Sequence, residues 1–377
     1  MRKINWKTTY LAHPLWRWIL DITIITALTV LFSWLIVQGK LTGKLFQSVS
    51  DIDSPELIDL YTLSVNRSPV KQQSDIVLLP IDGCSRQQVT SLIKALRPMP
   101  VSAIGIDITF PYPEEKDMEL IDAILSDERI VLASRENGSY FEEALESLGT
   151  SFGSIRLDVD TRYDVVRSFT YTPPCQSGAL SSFESQLAHI AQPESYEHLF
   201  PLDKSSYISY ANVHFDTIPA TLLLDSMRDT ELIANRLKGK IVLLGDLNQV
   251  SDTYRTPLQP DMPGVVIHAY VLSTMLYHRY IRTSPVEFSW VMAIIISIFF
   301  SWLMLVFKWK MEDAEGLLLR VTQLVLMLIV VCFGVLAFNY LHLYFNMEPI
   351  FFALAIQAVM LDIWVGIMGL IYKIFKI

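Results

Sequence analysis

Charge is scarce in this sequence. Asp, Glu, Lys and Arg make up 18% of its 377 residues, while 51% are hydrophobic. That balance excludes an ordinary soluble protein, yet it is too polar for a chain made only of packed membrane helices. No P-loop, protein-kinase, His-Glu-x-x-His or Gly-x-Ser-x-Gly motif occurs, so pattern alone leads to no expectation of catalysis. No spacing of acids approaches an EF-hand calcium loop, and no cofactor is implied. Cysteine is nearly absent too. Cys84 and Cys175 lie in the polar part of the chain and Cys332 in an apolar run. In an oxidising compartment the first two can close a loop of roughly ninety residues, worth a few kcal/mol on the entropic view, or stay separate buried thiols.

The charge that is present is unevenly placed. Residues 40–283 hold 32 of the 39 acids and 21 of the 30 bases, a net −11, whereas the flanks carry +2. An acidic domain of roughly 240 residues is long enough to bury a complete core. Its sign argues against nucleic acid as a partner.

The flanks are apolar and point to a lipid bilayer. After a short tail over 1–15, residues 16–37 read as one transmembrane helix, and 288–307, 317–338 and 350–371 read as three more. Each has about the length that spans a hydrocarbon core of roughly 30 Å. The stretch VQGKLTGKLF after the first run has no small-x-small cleavage site, so an uncleaved anchor is expected. Arg2, Lys3, Lys7 and Arg17 precede the first run, Lys308 and Lys310 lie between the second and third, and Lys373 and Lys376 follow the fourth. Short connections make neighbouring helices antiparallel, and alternation then puts both termini in the cytoplasm and residues 40–283 outside it. Asp362 lies within the last run, where a charge is costly unless it faces protein or water, and a packing role inside the bundle is expected for it.

Within 40–283, short apolar runs alternate with amphipathic stretches, the pattern of an α/β domain with a mixed sheet and flanking helices. Strands are expected at 76–82, 103–110, 129–134, 168–173, 206–210 and 238–246. Helices are expected from a Ser85/Gln88 capping box onward, and at 118–125, 179–191 and 264–278. Asp82, Asp107 and Asp246 end or interrupt three of these strands. If the strands are parallel neighbours, their acids gather at the carboxyl edge, where open α/β sheets bind ligands. Acids at strand ends also serve as ordinary loop and cap residues, and both readings stand.

The order Ile81-Asp82-x-x-Ser85, GIDITF with Pro111, DVDTRYDVVR, KGKIVLLGD, DTYRTP and PGVVIHA resembles the CHASE type 2 domain, a sensory extracellular module of bacteria associated with cyclases and histidine kinases. The resemblance covers about residues 45–280, and the frame of one helix before the module and three after it is that of the family. Where many members read Asp-x-Asp-Gly-x-x-Arg, this chain has Asp158, Val159, Asp160 and Thr161, with Arg162 and Arg167 as candidates for the base. Where an acidic pair is common after the first strand, Gly83 and Cys84 follow Asp82. The candidate ligand-binding residues are then Asp82, Ser85, Asp107, Asp160, Arg167, Asp246, Asp252 and His268. His268 reads either as a ligand contact or as a polar residue on a helix packed against the sheet.

Such modules usually precede a cytoplasmic cyclase or kinase, whereas this sequence has only a few residues after its fourth apolar run. The resemblance implies a sensor in the inner membrane of a bacterium, its central domain in the periplasm or outside the cell. It would bind a small ligand or an envelope protein there and signal to a separate cytoplasmic effector, with homo-oligomer formation left open. Two alternatives stand beside this. One is a membrane-tethered hydrolase using Asp82, Asp107 and Asp246 with a bound metal. The other is a structural component of an envelope assembly that binds protein alone.

Overall fold

A computed structural model describes residues 15–37, 61–63, 72–110, 117–135, 148–160, 164–171, 181–194, 205–210, 213–225, 230–248, 252–310 and 315–375, with positions 59, 112, 114, 145, 174–175 and 178–179. It divides into two compact units, residues 58–282 and residues 1–57 with 283–377. Chain order runs α1 (Leu15–Val37), β1 (Gln72–Pro80), α2 (Arg86–Leu96), β2 (Ala103–Ile106), α3 (Asp117–Leu125), β3 (Ile130–Ser134), β4 (Ser151–Ser154), β5 (Asp158–Asp160) and β6 (Val165–Thr170). It continues with α4 (Phe183–Ala191), β7 (Ser205–Tyr207), β8 (Val213–Thr217), α5 (Ala220–Asp225), α6 (Thr230–Leu237), β9 (Ile241–Gly245) and α7 (Gly264–Leu276). Three long helices follow, α8 (Val286–Lys310), α9 (Glu315–Leu341) and α10 (Glu348–Phe375).

In the 58–282 unit, β2, β3 and β9 are continuous apolar runs with every residue buried. Such strands need cover on both faces, which a parallel sheet with helical crossovers provides. The sheet has the order β8-β1-β9-β2-β3-β4, and all its pairings are parallel. The mixed sheet expected from the sequence is thus a wholly parallel one, with antiparallel pairing in a separate small sheet, β5-β6-β7. Alternate side chains of β1 enter opposite cores. Val77 and Leu79 pack with Leu92 and Leu96 of α2, Leu120 of α3 and Leu237 of α6. Ile76 and Leu78 share the other core with Phe183 and Leu187 of α4, Val265 and Leu272 of α7, and Phe169 of the small sheet.

The register fixes which residues end together. Pro80 lies opposite Gly245, and Leu244 opposite Ile106. The next residues therefore emerge at one edge: Ile81 donates its N–H to Gly245 O at 3.1 Å, and Asp107 donates its N–H to Leu244 O at 2.8 Å. The strand expected to run to residue 110 stops at Ile106 because its neighbours β9 and β3 pair with it no further. Residues 107–110 are released to form a cavity wall. The capping box forms as expected, with Ser85 N–H donating to Gln88 Oε1 at 2.8 Å and Gln88 N–H donating to Ser85 Oγ at 3.3 Å.

The second unit contains four helices long and apolar enough to cross a membrane, over Leu15–Ile36, Val286–Phe307, Leu317–Leu341 and Glu348–Ile371. Ile25, Phe300, Met304 and Leu354 form the centre of its core. Buried polar contacts thread that core: Trp364 Nε1 donates to Asp21 Oδ1 at 2.8 Å, and Gln357 Nε2 donates to Ser301 Oγ at 2.6 Å. Helical spacing turns Gln357, Leu361 and Trp364 to one face of α10 and leaves Asp362 on another, where it is exposed. Asp21, for which no such role was expected, is buried inside the bundle.

One close approach sets where α4 sits. A Cβ at Gly153 of β4 would lie 2.3 Å from Phe183 Cα and 2.7 Å from Phe183 N, so the helix start reaches the sheet only across a glycine. Gly153→Ala is expected to cost about 3 kcal/mol by overpacking. Thermal unfolding of the detergent-solubilised full chain would register this as a Tm several degrees lower.

Candidate functional site

At the carboxyl edge of β1, β9 and β2 lies a cavity of about 340 Å³. Asp107, Asp246 and Asp252 line it together with Arg86, Arg135 and the apolar Ile81, Phe110 and Ile155. The parallel register thus gathers two of the three strand-end acids in one wall, and the third, Asp82, holds that wall in place. Asp82 Oδ1 accepts the N–H groups of Leu247 at 2.8 Å and Asn248 at 2.7 Å, clamping the loop after β9 to the end of β1. Burial favours its neutral form, but hydrogen bonds from Asp246 and from these two amides outweigh that and lower its pKa. Two carboxyl groups bond in this way only by sharing a proton.

Asp107 is half-buried, and its pKa is about 6. Burial raises it most, His268 pulls it down, Asp252 and Glu184 push it up, and Arg135 pulls it down again. Under the cavity sits an ion pair that helical packing conceals from water: His268 Nδ1 of α7 lies 2.6 Å from Glu184 Oε1 of α4, with both side chains about 5% exposed or less. Burial opposes the imidazolium, yet Glu184, Asp107 and then Asp252 stabilise it and raise the pKa of His268 to about 9. Gly264 opens α7, and a Cβ there would lie 2.8 Å from Asp252 Oδ2. The missing side chain lets that carboxylate approach the positive end of the helix.

The two arginines of the cavity differ. Arg86 is committed: its guanidinium bonds Asp117 at 2.6 Å, Glu114 at 3.0 Å and the carbonyl of Tyr112 at 2.6 Å, and it covers the ring of Phe110. Arg135 follows β3 at the rim, is exposed, and forms no ion pair among the described residues. Cys84 also stands in the wall as a free thiol, whose pKa is raised by burial and by Asp82. The Cys84–Cys175 bridge is therefore not formed, and the side chain of Cys175 lies outside the described residues.

Three candidates fall elsewhere. Ser85 is occupied in the capping box. Arg167 and Asp160 belong to the small sheet, where Arg167 is 5% exposed and grips Asp59 through two hydrogen bonds of 2.9 and 2.7 Å and Asp160 through one of 3.0 Å. This is a buried structural cluster, apart from the residues that line the cavity. Sequence reasoning missed Glu184, Arg135 and Asp59. Glu184 left a signal: it is the acid on the face of α4 that also carries the buried Phe183, Leu187 and Ala188. Among the described residues no group of three His, Cys, Asp or Glu side chains is placed to hold a metal ion.

The family model of the CHASE2 domain matches residues 23–307. No curated protein and no solved structure matches the chain.

Two outcomes follow from these contacts. Arg167→Met leaves Asp59 buried beside an apolar side chain and should destabilise the protein by about 3–5 kcal/mol, read from chemical denaturation. His268 has a folded pKa of about 9 against an ordinary 6.5, so its contribution is complete below pH 6.5 and is lost as pH rises through 9. Asp107, at about 6 against 3.8, behaves likewise but in the window between those values. Tm should therefore fall from pH 6.5 to 9, by the equivalent of roughly 1–3 kcal/mol. In His268→Gln that alkaline slope should flatten while the acidic one persists.

Proposed function

The chain belongs to the CHASE2 domain family, a family of sensory domains, and from that premise we propose that it is a membrane receptor whose 58–282 unit binds a small ligand and whose helices relay the binding to a separate cytoplasmic effector. The observation that carries this reading is the charged cavity at the sheet edge, with Asp252 of its lining packed against the start of α7. A cavity of this size at the carboxyl ends of parallel strands suits a small molecule.

The route inward follows the chain. α7 begins at Gly264 beside Asp252, carries His268 under the cavity, and is joined to α8 through the short connection 277–285. A ligand that favours one setting of Asp107, Asp252 and His268 over another biases α7 by the difference between its two affinities and by no more. In the helix unit, directional contacts such as Trp364–Asp21 and Gln357–Ser301 specify a single packing, and a relay would have to exchange them. The distribution of Lys and Arg supports termini in the cytoplasm and the cavity outside it. In this reading the chain performs no catalysis of its own.

Affinity purification of the tagged full chain from its native membrane, followed by mass spectrometry, is expected to recover a cytoplasmic signalling protein, with reporters on both tails labelled from the inside. A monodisperse, partner-free protein, or tails that label from outside, would overturn the receptor reading.

A further inference from the structure

The charges of the cavity differ with depth. Asp107, Asp246 and Asp252 are half-buried, whereas Arg135 is exposed at the rim. The other cations are already committed, Arg86 to Asp117 and Glu114, and His268 to Glu184. An acidic interior is thus topped by one cation that forms no ion pair among the described residues and acts on Asp107 only through its field.

This arrangement selects a ligand by elimination. An anion entering the cavity would meet half-buried carboxylates at short range, where repulsion is poorly screened. A neutral apolar molecule would strip water from those carboxylates and give them no donor in return. A primary ammonium group brings three donors and a positive charge in a compact head. At the rim, the planar guanidinium of Arg135 fits a carboxylate with two parallel hydrogen bonds. Ile81, Phe110 and Ile155 supply apolar wall for a short side chain, and about 340 Å³ is near the lower end of ligand cavities.

Resting on the receptor reading, we infer that the cavity takes a small zwitterion of the α-amino-acid type, its ammonium group held between Asp107 and Asp252 and its carboxylate by Arg135. The proton balance follows. An ammonium head favours the ionised form of Asp107, whose pKa of about 6 is set by burial and by His268, Asp252, Glu184 and Arg135 around it. Binding should therefore release a proton below that pH, and affinity should rise about tenfold between pH 5 and pH 7.5.

The test is calorimetric titration of the full chain in lipid nanodiscs with the common L-amino acids one at a time, with n-propylamine and propionate as half-molecules, and with inorganic phosphate. At least one amino acid is expected to bind saturably and more tightly than either half-molecule, with the stated pH dependence. Arg135→Gln, an exposed change, and Asp252→Asn should each weaken it at least tenfold while leaving Tm within a few degrees. Propylamine binding as tightly as the best amino acid would overturn the carboxylate contact and with it the assignment. Binding of propionate or phosphate in place of the amino acids would overturn the ligand class but leave the receptor reading standing on its copurified effector. No binding by any probe would overturn the inference as well.

Discussion

Parallel register is the constraint on which the rest of this protein depends. Because β1, β9 and β2 run the same way and their last pairs are level, the residues after them leave the sheet at one edge. Nothing else would bring Asp82, Asp107 and Asp246 together, since they are far apart in sequence. Antiparallel pairing of any of the three strands would send its acid to the opposite end of the sheet. The clamp from Asp82 to the amides of Leu247 and Asn248 then turns a shared edge into a fixed wall.

A second layer of electrostatics supports that wall from below. The Glu184–His268 pair is formed between two helices on the same face of the sheet, and its charges act on Asp107, and that of His268 on Asp252, through space. Buried charge of this kind is costly unless paired, and here each member has an opposite charge within contact distance. The cavity is therefore a place where several ionisable groups hold each other's protonation in balance, which suits a site that must change state when something binds.

Much of this was legible in the sequence. The apolar runs IVLL, AIGI, IVLA and IVLLG read as buried strands, the Ser85/Gln88 spacing read as a helix start, and the four long helices read as spans. What was not legible came from long range. The small antiparallel sheet left too weak an alternation to separate it from the main one, so a mixed sheet was the natural inference. Asp160 and Arg167 looked like site residues because acids and arginines in a polar motif read the same in a binding site and in a buried ion cluster. Their partner Asp59 decides between the two, and it lies 108 positions from Arg167. Glu184 was hidden for a similar reason, its partner being 84 positions away.

The strand order also governs how this unit can be assembled. β1 is early in the chain, yet its two neighbours are β8 and β9, which come only after residue 212. Pairing over such separations forms slowly, because the entropy of closing the intervening loops must be met before any contact rewards it. Until the last third of the unit has emerged, both edges of β1 present unpaired backbone N–H and C=O groups. The nascent chain therefore passes through a vulnerable interval, and the sheet can close only once β9 enters between β1 and β2.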